Sequence, residues 1–419
     1  MAGLAVFLLV ALVVVSVAVV RRPQHAVLPG ASGASSPSAD LPTRADRRAD
    51  AAGALLARLA TALRHGSRQD VAALAAPGDR AARHELVVLR GNVRRTQVTD
   101  LSLRYVDEAD RRVPTMQRRS VTGDAWVGTV QLSWRFRGFD RHAAVREVPM
   151  VFARTESHAG FVTARAGNGA APLWLLTQVA VARSPGSMVV SARPARLARF
   201  SLLARRAVAD VRKVLPAWRG RLVVEVPADQ RGLTRVLASK PDAYREIAAV
   251  TTTTDGSLTP GTPVHIFVNP AVFDPLGPRG SQIVMSHEAT HVAVRAAFST
   301  MPTWLLEGFA DYVALAHVDL PVSVTASQIL AQVRKDGPPR HLPGSKEFNP
   351  QNQALGAEYE SAWLACRILA ERYGEKRLIA FYRASDKASS TTVPFHTVLG
   401  TDASSFTRAW RGGLRRLAG

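Results

Sequence analysis

The sequence predicts an α+β protein with an N-terminal transmembrane helix, an α+β region built on an antiparallel sheet, and a mainly helical C-terminal region with a small sheet. Three observations carry this reading. Residues 1–20, MAGLAVFLLVALVVVSVAVV, hold no charge over about the length a helix needs to cross a bilayer core. In DAWVGTVQLSWRFRGF, Trp126, Gly128, Val130, Leu132, Trp134 and Phe136 alternate with Val127, Thr129, Gln131, Ser133 and Arg135, the period of a strand with one face inward. From 197 onward Leu197, Phe200, Ala204, Val208, Val211 and Leu215 recur at helical spacing.

The chain of 419 residues, 47% hydrophobic and 6% aromatic, has the balance of a globular protein with room for two or three domains. The net charge of +21 comes from 54 basic residues, of which only six are Lys. With abundant Ala and Val, that Arg excess reads as the codon bias of a GC-rich genome and spreads charge over the whole surface. There is no Lys/Arg block of five and no basic stripe interleaved with aromatics, so no nucleic-acid partner is expected. The lone Cys366 excludes an intramolecular disulfide and shares a helical face with Ala362 and Leu369, where it reads as a small buried hydrophobe.

Taken in order, residues 1–20 read as an uncleaved single-pass membrane anchor, because the basic leader and short apolar stretch of a cleaved signal are absent. The body is expected outside the cytoplasm, although Arg21 and Arg22 alone would hold it inside. Residues 21–46 are rich in Pro, Gly, Ser and Ala and read as a flexible linker. In 47–195, Leu55, Leu59 and Leu63 mark a helix stopped at Gly66, and a short helix follows near Val71 to Leu74. The strand-like segments TDLSLRYVD, DAWVGTVQLSWRFRGF, VREVPMVFARTE, GFVTARA and LLTQVAVARS come next. Helices followed by a curved antiparallel sheet resemble the nuclear-transport-factor-2-like cone in order of elements, and this segment is expected to serve as an accessory domain. In 196–419, GRLVVEVP and TPVHIFVNP read as strands among helices, with irregular stretches at 251–263 and 336–356.

The chemistry concentrates in MSHEATHVAVRAAF, residues 285–298. Positions i and i+4 of a helix lie one above the other, so His287 and His291 can offer two imidazoles to one metal ion with Glu288 beside it. Zinc accepts neutral imidazole and, with three protein ligands, acidifies a bound water to a pKa of about 7. Glu288 could take that water's proton and return it to a leaving amine. With 11 His and 13 Glu, chance would place this pattern about 0.01 times per chain. The competing reading is an amphipathic helix that buries Ile283, Val284, Met285, Val292, Val294 and Phe298 and leaves both histidines partly exposed. Downstream, WLLEGFADYVA sets Glu307 and Asp311 on one helical face. Glu307 can complete three ligands, and Asp311 can accept the second ring N–H of a ligand histidine. His84, His142 and His158 are scattered and read as surface or strand histidines, and His317, His341 and His396, at helix ends or in loops without paired acids at ligand spacing, read as solvated.

These residues resemble the gluzincin zinc metallopeptidases, the thermolysin-like and aminopeptidase-N-like group. The resemblance is close over the two motif helices and loose over about residues 200–400. His287, Glu288 and His291 match H-E-x-x-H, Glu307 matches the downstream E-G-x-A, and Asp311 matches an acid four places later. The interval of 15 residues between His291 and Glu307 is shorter than in the best-known members, whose spacing would land on Asp311, so Asp311 stays open as the third ligand. The metzincin pattern would need Gly and His where Val294 and Ala297 stand. GAEYESAWLACRIL resembles the helix whose tyrosine donates to the oxyanion, here Tyr359. The resemblance also implies that substrate backbone lies along a sheet edge, for which 264–270, VHIFVNP, is the candidate; the Gly-rich signature of the aminopeptidases is missing.

The expectation is therefore a membrane-anchored metallopeptidase acting on a peptide or protein substrate. Zn2+ would sit on His287, His291 and Glu307, with Glu288 as base, Tyr359 as oxyanion donor and Asp311 behind a ligand. The alternative is a non-catalytic envelope protein of the same fold with a binding or scaffold role.

Overall fold

A computed structural model describes residues 42–419 apart from 122, 156–157, 165–169 and 350. Helix α1 (Arg44–His65) opens on a capping box in which Thr43 Oγ1 accepts from the Asp46 N–H and the Asp46 carboxylate accepts from the Thr43 N–H. The expected linker thus ends in a helix by residue 44. Leu55, Leu56, Leu59 and Leu63 form the buried face of α1. The short α2 (Arg68–Ala72) and α3 (Arg80–Thr96) follow, and α3 ends on Gln97 in the left-handed region.

Strands β1 (Val98–Glu108), β2 (Asp124–Phe136), β3 (Ala144–Arg154) and β4 (Ala159–Thr163) form an antiparallel meander in that order, with α4 (Thr115–Ser120) between the first two. The alternation of β2 is realised from Val130 to Phe136. At the other end of the strand Ala125 and Val127 are buried as well, in a small second core with Val151, Ala153 and Val162. Gly128 is there for space, since a Cβ would stand 2.5 Å from the Tyr105 ring and 2.9 Å from that of Phe152.

After α5 (Leu173–Leu176), a second sheet runs in the order β5 (Ala180–Arg183), β6 (Ser187–Ser191), β7 (Leu222–Val226), β9 (Val264–Val268), β8 (Ala249–Thr253). Its central pairs are parallel and its outer pairs antiparallel. Helix α6 (Leu197–Val214) connects the parallel β6 and β7, and α7 (Gln230–Leu237) follows β7. The strand expected at LLTQVAVARS joins this sheet through β5, so the sheet begins before residue 195. The Thr-rich stretch at 249–253, read in part as irregular, is a strand, because β-branched threonines fit a pleated surface even without apolar alternation. The candidate substrate edge at 264–270 is interior, and the sheet's edge beside the motif helix is β8.

The two sheets meet through His265 of β9. Its Nδ1 lies 2.7 Å from Glu225 Oε1 of β7, and its Nε2 lies 3.0 Å from Asp140 Oδ1 in the turn after β2. All three are buried, and the ring stacks on Phe136. Burial pushes the imidazole down, and the Asp140 and Glu225 carboxylates more than reverse this, raising it to about 9.

The remainder is helical: α8 (Pro270–Phe273), α9 (Pro278–Val294), α10 (Thr303–Leu315), α11 (Val322–Thr325), α12 (Ser327–Asp336), α13 (Leu355–Tyr373), α14 (Glu375–Ala388), α15 (Thr392–Leu399) and α16 (Ala403–Ala418). The fold is α+β with two sheets, and it corrects the predicted class and location in one respect. No helix among the described residues is long and apolar enough to cross a membrane, because the long ones carry charges along their length, as α1 and α13 do. The stretch 1–20 lies outside the described residues, so a single-pass anchor has no support from the fold.

Candidate metal centre

Helix α9 is buried without a break from Ile283 to His291. It lies between α6, α10 and the edge strand β8. That excludes the amphipathic-helix reading with two partly exposed histidines, since His287, Glu288 and His291 are all 0% exposed. Two further polar groups of the helix are satisfied locally: Ser286 Oγ donates to Asp210 of α6 and Thr290 Oγ1 to the Ser286 carbonyl.

Glu307 on α10 faces both imidazoles. His287 Nε2 and His291 Nε2 are 2.9 Å apart, and Glu307 Oε2 lies 3.3 Å from the first and 3.5 Å from the second. Three donors on one tetrahedral ion at bond lengths of about 2.0–2.1 Å stand about 3.3 Å apart, so these residues fit a zinc-sized ion. Among the described residues, His287, His291 and Glu307 are the one group arranged to hold a metal. Among the described residues neither Glu307 oxygen nor His291 Nδ1 has a hydrogen-bond partner, an arrangement that is costly in a buried site without a cation.

Asp311, one turn beyond Glu307, sits on the opposite side of the first ring, with Oδ1 2.7 Å from His287 Nδ1. It accepts that ring proton and leaves Nε2 as the donor atom facing Glu307. Burial pushes His287 down, and Asp311 and Glu307 outweigh it and raise it to about 10. Burial alone would raise Glu307, but the two imidazoles hold it below its usual range.

Glu288 is positioned by a residue that sequence reasoning missed. Thr251 Oγ1 of β8 is 2.6 Å from Glu288 Oε2 and 3.1 Å from the Glu288 carbonyl oxygen. The other carboxylate oxygen, Oε1, has no partner. Burial raises the Glu288 carboxyl against the opposing pull of the two histidines and the Thr251 hydroxyl, which suits a group that must take up a proton. The signal for Thr251 was its place in a β-branched run shortly before the motif helix, but pairing it with Glu288 required the register of β8.

Tyr359 of α13 is buried, with its ring 6.4 Å from that of His287 and edge-on to Phe348 at 5.0 Å. What brings α13 this close to α10 is Gly308, where a Cβ would fall 2.3 Å from the Ala362 carbonyl oxygen and 3.1 Å from Cys366 Sγ. Cys366 is fully buried, and burial holds its thiol well above the usual range, as expected of a packing residue. His84, His142, His158, His317, His341 and His396 are exposed and away from this group. No protein-family model and no curated protein matches the chain.

Proposed function

We propose that the chain is a zinc-dependent metallopeptidase that hydrolyses peptide bonds in a peptide or protein substrate. The observation that carries the reading is the convergence of His287 Nε2, His291 Nε2 and Glu307 Oε2 next to a carboxylate, Glu288, with one oxygen held and the other free. Zn2+ on His287, His291 and Glu307 would acidify a water and polarise the scissile carbonyl. Glu288, its Oε2 held by Thr251, would be the base that takes up a proton on Oε1 and returns it to the leaving amine. Asp311 keeps the His287 ring in one tautomer, and Tyr359 would donate a hydrogen bond to the developing oxyanion.

The edge strand nearest Glu288, along which an extended substrate would pair, is β8. The Thr254 N–H bonds to the Pro263 carbonyl, and the Asn269 N–H bonds to the Ala248 carbonyl. Even-numbered residues therefore face β9, and the backbone groups of Thr251 and Thr253 point the other way. A peptide added there runs past Glu288.

Complete burial of the three ligands favours one second reading, a closed structural metal site in a non-catalytic binding protein. Metal analysis of the purified protein beside His287→Ala and Glu288→Gln separates the two. The enzyme reading expects the first variant to lose zinc. It expects the second to keep zinc and lose cleavage of a peptide library by about 100-fold or more. Zinc without cleavage in the wild type supports the structural site, and a wild type free of stoichiometric zinc overturns both.

A further inference from the structure

Far from the metal centre in sequence, a cavity of about 390 Å³ opens along α3, and four of its eight lining residues are arginines: Arg68, Arg90, Arg94 and Arg95. Among the described residues no carboxylate lines it. Among the described residues none of the four guanidinium groups forms an ion pair. The nearest acid to bear on them, Asp70, accepts hydrogen bonds from Ser67 at the start of α2 and lines a neighbouring cavity instead.

The arrangement is built rather than incidental. Arg90 Nε donates to the Gly66 carbonyl at 2.6 Å and Arg95 Nη1 to Asn92 Oδ1 at 3.2 Å, so two of the four guanidinium groups are anchored with further N–H groups to spare. Gly91 lines the cavity beside Arg95, whose Nη1 would stand 3.0 Å from a Cβ there. Gln178 is the remaining polar residue of the lining. The buried Asn92 fixes both of its neighbours, donating to the Thr177 carbonyl at 2.7 Å and accepting from the Val179 N–H at 3.1 Å. Arg68 and Arg94 are exposed, and among the described residues their side chains make no hydrogen bond. Four guanidinium groups, two of them anchored, border one concavity, and guanidinium forks match the oxygens of a phosphoryl group two at a time.

We propose that this cavity is a binding site for a phosphate- or diphosphate-bearing ligand, with Arg90, Arg95 and Gln178 as its fixed wall and Arg68 and Arg94 closing on the anion. The site is independent of the metal centre. It also gives part of the positive charge a specific role, where composition suggested only a diffuse basic surface.

The test titrates inorganic pyrophosphate into the full chain by isothermal calorimetry, with dimethyl phosphate as competitor. Arg68→Gln/Arg94→Gln is compared with Arg415→Gln/Arg416→Gln, which removes the same charge from the exposed last turn of α16. Neither side chain bonds to another of the described residues, so the first variant is expected to melt as wild type does. The expected result is saturable 1:1 binding, weakened about tenfold or more by loss of Arg68 and Arg94 and unchanged in the α16 variant. Competition by dimethyl phosphate would assign the ligand to phosphodiesters, and its failure to compete would assign it to terminal phosphates. Absence of saturable binding, or equal weakening in both variants, overturns the site.

Discussion

Gly308→Ala sets two effects of opposite sign against each other. By helix propensity alone, alanine in the middle of α10 stabilises by about 1 kcal/mol. The new Cβ, however, would lie 2.3 Å from the Ala362 carbonyl oxygen and 2.6 Å from its carbon, both backbone atoms of α13 that cannot rotate away. Restoring an ordinary contact moves the two helices apart by about 1 Å. Overpacking of this kind costs up to about 3 kcal/mol, so the net change is a loss of about 2 kcal/mol. The displacement also reaches the site, because Glu307 is the adjacent residue and Tyr359 lies one turn before Ala362. Metal–ligand distances tolerate only about 0.2 Å. Metal affinity should therefore fall about 10–100-fold, as it does when the groups orienting a ligand are lost. Thermal melts with and without a chelator, together with competition against a zinc indicator, measure both effects. A variant that melts at or above the wild-type temperature and keeps its zinc would refute the close-approach argument and the claim that α13 sets the position of α10.

Stripping the metal should lower the melting temperature, because an ion bound only by the folded state at a thousandfold over its Kd contributes about 4 kcal/mol; identical melts with and without chelator would remove the site. Thr251→Val should cost about 1–3 kcal/mol by leaving Glu288 Oε2 unpartnered, and it should raise the Glu288 carboxyl further. A higher carboxyl pKa keeps the base protonated to higher pH, so the acid limb of the kcat/KM profile should move up; a purely structural Thr251 would leave that limb in place. His265 is raised from about 6.5 to about 9, so its contribution of about 3 kcal/mol is fully present below the lower value and lost as pH rises through the upper one. Urea melts at pH 6 and pH 10 should therefore differ more for the wild type than for Asp140→Asn, and equal differences would mean that the buried triad does not hold that proton.

What was legible in the sequence was what depends on one element at a time. The pair His287 and His291 follows from the 3.6-residue period of a helix, and the inward face of β2 from the two-residue period of a strand. The reading failed where partners are distant in sequence. Polar threonines at 249–253 gave no apolar alternation, so a strand was missed, and with it both the true sheet edge and the hydroxyl that holds Glu288. The sheet to which β5 belongs depends on pairing with β6, a strand only five residues long and buried on both faces.

Sequence alone determined which chemistry the chain could carry: two imidazoles at i and i+4, a glutamate between them, and two acids one helical turn apart downstream. Only the tertiary structure decided how these acids divide. Glu307 faces the two Nε2 atoms and Asp311 the far nitrogen of His287, because the angle and separation of α9 and α10 are set by packing against α6, β8 and α13, and no local periodicity encodes them.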